Sequence, residues 1–430
     1  MTAVNNKRQE YHTHENRTHQ ENNKDRPIIK NVCFVGAGTM GSYNALVAAL
    51  ADYKVTVFDT NEEVLKLLPI RQQEFADIFI ANGLYNQTLL QQAIESITCT
   101  SDLATAVAQA DLVSESVFEQ LDIKRNVHQQ LDQTCPVHTI LTTNSSALMV
   151  SDIEDVVLRG DKFAALHTHL LSPLVDIVAG PRTSADIVEI LQGYVQSIGA
   201  VPLVLKKENS GYVLNTMISK LLSTALLMVA DKQVTFETLD RIWMQKAQAK
   251  MGPFGMIDMF GLDVTHYGLQ IEEPNGRMKK VKEKLTPFIK AFIDKGLLGV
   301  KTGKGFYQYP NPTFKQQNFL AEAEIKAAVP AVMDKEQLIC QRLEHAAIIA
   351  AILLAENGIV EQADVDKAWM VGMMLPKGPF THLEELAAQE QGIETFIQAL
   401  NDFVDFGSIL PSDTEQIKSF LKTHSPKTAC

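Results

Sequence analysis

Gly36-Ala37-Gly38-Thr39-Met40-Gly41 is a G-x-G-x-x-G run set between a β-branched stretch, IIKNVCFV, and the helical pattern SYNALVAALADY. Glycines at these positions let a backbone turn approach a pyrophosphate, and the helix that follows offers it unpaired N–H groups and a partial positive charge. A lone run of this kind is weak, because glycines gather at many tight turns. Here an acid, Asp59, ends a second strand, KVTVFD, 23 residues after Gly36. A carboxylate at that spacing accepts hydrogen bonds from an adenosine ribose and repels a 2′-phosphate, so the loop reads as an NAD site in preference to NADP.

Other polar side chains are ambiguous by themselves. His167 ends the run FAALH; imidazole suits proton transfer near neutral pH, yet a lone histidine at a strand end is more often structural. Asp176 in PLVDIV could sit on the surface of an edge strand. Ser145 and Ser146 could cap the next helix. Asn215 stands in an otherwise apolar helix, where a buried amide needs partners.

The elements that must position these groups alternate. After the first two strands, short runs at 111–118, 138–144, 162–168, 173–178 and 200–206 are separated by helical segments. This predicts a doubly wound α/β sheet. Beyond Lys207 the character changes to long amphipathic helices, the first of them NTMISKLLSTALLMVADKQ, apolar on more than one face as in a bundle. Within this helical part the sequence repeats itself. A constant shift of 126 residues aligns Asp240 with Asp366, Trp243-Met244 with Trp369-Met370, and Gly252-Pro253-Phe254 with Gly378-Pro379-Phe380. The two tryptophans are the only ones in the chain, and similarity at one fixed offset reads as duplication.

Together these segments resemble the L-3-hydroxyacyl-CoA dehydrogenase family. The resemblance rests on GAGTMG, Asp59, ESVFEQLDIK (115–124), TNSSAL (143–148), FAALH ending at His167, GYVLN ending at Asn215, GPFGMIDMFGLD (252–263) and LGVKTGKGFY (298–307), in order over roughly residues 30–310. The repeat resembles the members that carry two copies of the helical domain. The implied fold is an α/β Rossmann-type dinucleotide-binding domain followed by two tandem all-α helical domains. The implied activity is NAD-dependent oxidation of an L-3-hydroxyacyl-CoA to the 3-oxoacyl-CoA, as in the β-oxidation of fatty acids. His167 matches the general base and Asp176 the acid that orients it; Ser146 and Asn215 match side chains that bond substrate oxygens. Glu119 and Lys124 match residues near the nicotinamide and its ribose, and Gly36, Gly38, Thr39, Met40, Gly41 and Asp59 hold the rest of the cofactor.

Three departures from the family pattern stand out. The segment after His167 reads Thr168-His169-Leu170-Leu171-Ser172-Pro173 where the family continues F-F-N-P, and the loop to the acid is about three residues shorter. His169 could therefore share or take the base role. The helical arm at 62–96, which in the family grips the CoA adenosine and phosphates, has only Lys66 and Arg71 as cations. Lys206, Lys207 or the run KKVKEK at 279–284 are the other candidates for a CoA clamp. Gln341 replaces Asn215 in the second copy, which is expected to supply packing surface and no second site. A small free 3-hydroxy acid such as carnitine is the alternative substrate, and an NAD(H)-binding sensor without turnover the alternative class.

Composition sets the outer bounds. A chain of 430 residues predicts roughly two to four domains. We divide it into a disordered tail at 1–26, which is nearly devoid of aliphatic side chains, an NAD-binding domain at 27–207, and helical copies at 208–317 and 318–430. The net charge of −12 argues against nucleic-acid or anionic membrane partners and requires anions to be held by local positive features. No apolar run approaches the ~18 residues of a membrane span. Five scattered cysteines with no C-x-x-C pair argue against disulfides and a thiolate metal site and for a reducing, cytoplasmic setting. No metal site is expected; His12, His14 and His19 in the tail could chelate only weakly. In single-copy relatives the helical domain pairs with its twin across a two-fold axis. A duplicated chain is thus expected to be a pseudo-dimeric monomer, with a homodimer as the alternative.

Overall fold

The computed structural model describes residues 29–270, 278–316, 318–320 and 330–424; the tail read over 1–26 lies outside them. Eight strands form one sheet: β1 Asn31–Val35, β2 Lys54–Phe58, β3 Thr98–Thr100, β4 Leu112–Glu115, β5 Ile140–Thr143, β6 Phe163–Thr168, β7 Leu174–Ala179 and β8 Val201–Leu205. Their order is β3-β2-β1-β4-β5-β6-β7-β8. All neighbours are parallel except β6 and β7, which form an antiparallel pair. The chain reverses direction of winding between β1 and β4, and the crevice beyond their carboxyl ends is the place where such sheets take ligands.

Alternation along β1 divides the core. Val32 and Phe34 face helix Thr39–Leu50 and the arm helix Leu68–Ala81, while Cys33 and Val35 face the other side. That second side is continuous with the helical region, so one apolar cluster runs from β1 through Leu214 to Trp243 and Trp369. Helix Leu214–Ala230 packs along helix Pro330–Glu356. The segment Lys335–Glu356 is long and apolar enough to cross a membrane, but 72% of its most apolar stretch is buried inside the protein, as in a core helix.

Three aspartates organise the helical regions. Asp240 on helix Phe236–Lys246 accepts from the backbone N–H of Phe254 (2.8 Å) and Gly255 (2.9 Å), capping helix Pro253–Phe260 from a distance. A Cβ on Gly252 would fall 2.3 Å from Asp240 Cγ, so only glycine lets the two helices approach. Asp258 in turn accepts from the N–H groups of Phe306 and Tyr307, both at 2.8 Å, which fixes the LGVKTGKGFY loop. In the second region Asp366 accepts from Phe380 N (2.7 Å) and Thr381 N (3.0 Å), and a Cβ on Gly378 would lie 2.1 Å from Asp366 Cγ.

The second helical region also touches the sheet directly. Lys206 N–H donates to Ile359 O at 2.8 Å, Lys206 Nζ pairs with Glu361, and Lys207 Nζ donates to Asn357 O at 3.1 Å. Lys284 pairs with Asp231 and Lys280 Nζ lies 3.4 Å from Asp405 O. Lys206, Lys207, Lys280 and Lys284, all candidates for a CoA clamp, are therefore engaged in joining segments of the protein itself.

Candidate active site

The glycine turn has the shape a pyrophosphate needs. Gly36 adopts φ +102°, and a Cβ there would sit 2.7 Å from Ser116 O, at the start of the chain leaving β4. A Cβ on Gly41 would fall 1.8 Å from Gly36 O. Gly38, by contrast, faces open space, with no atom within 4 Å of its would-be Cβ, and caps helix Thr39–Leu50 without a side-chain bond. Thr39 and Met40 open that helix, so its first N–H groups are left to a ligand. Ser116 Oγ is buried and without a partner among the described residues, and Ser116 Cβ lies 3.9 Å from where a Cβ on Gly41 would fall. Asp59 Oδ2 accepts from Ala37 N at 2.8 Å and Oδ1 from Asn61 N at 2.9 Å, so this acid braces the turn as well as closing β2. Arg71 Nη1 donates to Ala37 O at 2.6 Å, which commits one of the arm's two cations to the cofactor loop; the other, Lys66, pairs with Glu63 at 2.7 Å.

The antiparallel pairing of β6 and β7 sets His167 directly opposite Asp176. His167 Nδ1 donates to Asp176 Oδ2 at 2.9 Å, leaving Nε2 as the acceptor of the neutral ring. The short loop does not separate them, because strand register alone fixes the pair. His169 Nε2 donates to the same Oδ2, also at 2.9 Å, and the two rings meet edge to face with centroids 4.4 Å apart. Asp176 is fully buried; burial pushes its carboxyl up, but the two imidazole bonds outweigh that and hold it below the usual range. Burial and the neighbouring His169 lower the His167 imidazole, against the pull of Asp176, so it is neutral and able to accept a proton at neutral pH. The Tyr212 ring stands 5.0 Å from that of His167. Asn215 follows Tyr212 by three residues, half-buried in the first turn of helix Leu214–Ala230 rather than deep inside it.

Glu119 gathers the loop after β5. Its Oε1 accepts from Ser146 N and Ala147 N, both at 3.0 Å, and from Ser145 Oγ. The backbone of Ser146 is thus fixed, and its side chain is half-buried at the loop. Asn144 Oδ1 accepts from Thr168 N at 2.8 Å, tying this loop to the residue after His167. Lys124 is buried, with Nζ 2.7 Å from Glu115 and 3.3 Å from Glu119, so it supports Glu119 from behind instead of presenting a surface to the cofactor.

Glu115 and His128 do not stand out in the sequence. Glu115, fully buried at the end of β4, accepts from Lys124 Nζ, Val117 N, Thr143 Oγ1 (each 2.7 Å) and His128 Nε2 (3.1 Å). Burial raises its carboxyl, but His128 and Lys124 overcome this and bring it down to about 2. The one legible signal is the spacing of Lys124 and His128, four apart on helix Leu121–Thr134 and hence on one face. Losing one partner of so buried a carboxylate costs about 3–5 kcal/mol.

Comparison with known proteins bears on the family and the fold. The description "3-hydroxyacyl-CoA dehydrogenase, NAD binding domain" matches residues 31–209, and "3-hydroxyacyl-CoA dehydrogenase, C-terminal domain" matches 211–309. The mitochondrial hydroxyacyl-coenzyme A dehydrogenase of Sus scrofa is 28% identical over 298 residues, covering 66% of this chain and 92% of that protein. A solved diketoreductase, described as acting on dicarbonyl compounds, is 34% identical, with a TM-score of 0.59, over 66% of this chain and all of that one. In fold, the 3-hydroxybutyryl-CoA dehydrogenase of Escherichia coli K12 superimposes with a TM-score of 0.74 at 20% identity, covering 93% of this chain and 100% of that one. With a glycine turn that fits NAD, a paired histidine and acid, and both family domains in sequence, this chain is an NAD-dependent oxidoreductase and belongs to the 3-hydroxyacyl-CoA dehydrogenase family.

Proposed function

We propose that the protein interconverts an L-3-hydroxyacyl-CoA and its 3-oxoacyl-CoA, with His167 as general base. The observation that carries this reading is the His167–Asp176 pair, opposite in register and 2.9 Å apart. NAD held at the glycine turn Gly36–Gly41 would supply the acceptor for the hydride that leaves the carbon bearing the 3-hydroxyl. His167 Nε2 takes the hydroxyl proton, and Asp176 holds the other ring nitrogen in the required tautomer and stabilises the imidazolium that forms. Ser146 and Asn215 bond the substrate oxygens. Glu119 and the backbone it braces line the nicotinamide end, with Lys124 buried behind it.

A second reading keeps the reaction and replaces the thioester with a small free 3-hydroxy acid. It is favoured by the engaged cations, since Arg71, Lys66, Lys206 and Lys207 each have a partner within the protein, and by the likeness to the diketoreductase. NADH formation measured across a panel of 3-hydroxyacyl-CoA thioesters and free 3-hydroxy acids separates the two. Turnover of the thioesters is expected; turnover of free acids alone would overturn the CoA part.

The helical regions at 208–317 and 318–430 we read as two copies of one domain, the second serving as an internal partner for the first in a pseudo-dimeric monomer. Supporting this are the matching Asp240 and Asp366 caps and the helix Leu214–Ala230 packed on Pro330–Glu356.

A further inference from the structure

His167, His169 and Asp176 offer two imidazole nitrogens and a carboxylate oxygen that all lie within 4.8 Å of one another. Both nitrogens stand 2.9 Å from Asp176 Oδ2. Ligands held at ~2.0–2.1 Å around a tetrahedral Zn²⁺ are roughly 3.3 Å apart, so each nitrogen would move slightly away from Oδ2 while the two nitrogens, within 4.8 Å of each other, settle at the same spacing. A separate observation points the same way. Asp176 Oδ1 is buried and has no hydrogen-bond partner among the described residues, although a buried carboxylate oxygen ordinarily has one.

We propose that His167, His169 and Asp176 form a site for a divalent transition-metal ion, with Zn²⁺ the best fit, whose occupation switches the dehydrogenase off. Two imidazoles and a carboxylate select Zn²⁺, Co²⁺ or Ni²⁺ over Mg²⁺ and Ca²⁺, which prefer all-oxygen shells. His169, half-buried at the rim, gives the ion its way in. The inhibition follows from proton balance and rests on His167 being the base. A metal bond at Nδ1 of His167 uses that nitrogen's lone pair, so the single proton of the neutral ring moves to Nε2. No proton is gained or lost overall, but Nε2 becomes a donor and cannot accept the proton of the substrate hydroxyl. The same exchange at His169 binds Nε2 and moves its proton to Nδ1. Asp176 supplies Oδ2, and Oδ1 with it if the carboxylate turns bidentate.

The test uses the full chain, freed of metal by a chelator. Titration with Co²⁺, read by visible absorption, is expected to show one tetrahedral site per chain, displaced by Zn²⁺. His169→Gln is expected to weaken it ~10-fold or more, with NADH binding retained as proof of folding. A variant with His12, His14 and His19 all changed to Gln, which removes the tail's own chelating groups, is expected to keep the site. Zn²⁺ is expected to inhibit turnover in step with occupancy, with recovery on adding chelator and no effect from Mg²⁺. A Co²⁺ spectrum unchanged by His169→Gln, or lost in the tail variant, would overturn the site. A Co²⁺ spectrum that depends on His169, with turnover unaffected or increased by Zn²⁺, would overturn the switch and trace the failure to the assignment of His167 as base.

Discussion

Asp240 and Asp366 stand 126 residues apart and play the same mechanical part. Each bonds two N–H groups at the start of a helix that begins Gly-Pro-Phe, and each leaves no room for a side chain on the glycine. Around that shared device the two regions differ. Asp240 is fully buried and takes a third bond from Tyr307 Oη at 3.0 Å, whereas Asp366 is partly exposed and takes its third from the Thr381 hydroxyl at 2.8 Å within the same turn. Tyr212, packed on His167, has Leu338 at the same offset, and Asn215 has Gln341. Asp258, which anchors the LGVKTGKGFY loop, has Glu384. The capping device is common to both regions, while the residues proposed to face the chemistry are confined to the first.

Between the two regions, the largest effect is expected from the positions that differ. Asn215→Ala should lower kcat/KM on the order of 10²-fold, the scale of a polar contact made to a reacting oxygen. Gln341→Ala should leave both kcat and KM unchanged. Equal losses in steady-state kinetics would erase the distinction between the regions.

The shared device should instead respond alike. Gly252→Ala and Gly378→Ala each force a methyl group into an aspartate about 2 Å away, and each should cost roughly 1–3 kcal/mol by overpacking. Denaturant unfolding measures this. A cost at only one glycine would mean that the two caps are not equivalent.

A smaller and sharper difference concerns pH. Burial outweighs the bonds that favour the ionised form and raises Asp240 to about 7. Its folded state therefore binds a proton that the unfolded chain releases near 3.8, so this group's contribution to stability falls as pH rises from about 4 to about 7 and is level beyond. Asp240→Asn should remove that slope from the pH dependence of unfolding. A slope unchanged by the substitution would show that Asp240 is ionised throughout.

Much of the sheet is legible in the sequence because buried strands are continuous β-branched runs; seven of the eight fall where the apolar runs place them. The exception, β3, is three residues at the edge, with too little burial to leave an apolar pattern. The glycine turn is legible because backbone constraints act locally. The partners of Lys206 and Lys207 are not, since Glu361 and Asn357 lie about 150 residues away and no local pattern reports so distant a contact. Nor is the sharing of Asp176 by two histidines, which depends on register across an antiparallel pair.

The proposed chemistry turns most directly on His167. NADH formation from 3-hydroxybutyryl-CoA by the His167→Ala variant, with NADH binding measured on the same sample, tests its role in one experiment. We predict intact NADH binding with kcat reduced about 10²- to 10⁴-fold, the range of a general base. Turnover close to that of the unaltered chain would contradict the assignment of the base and the mechanism built on it.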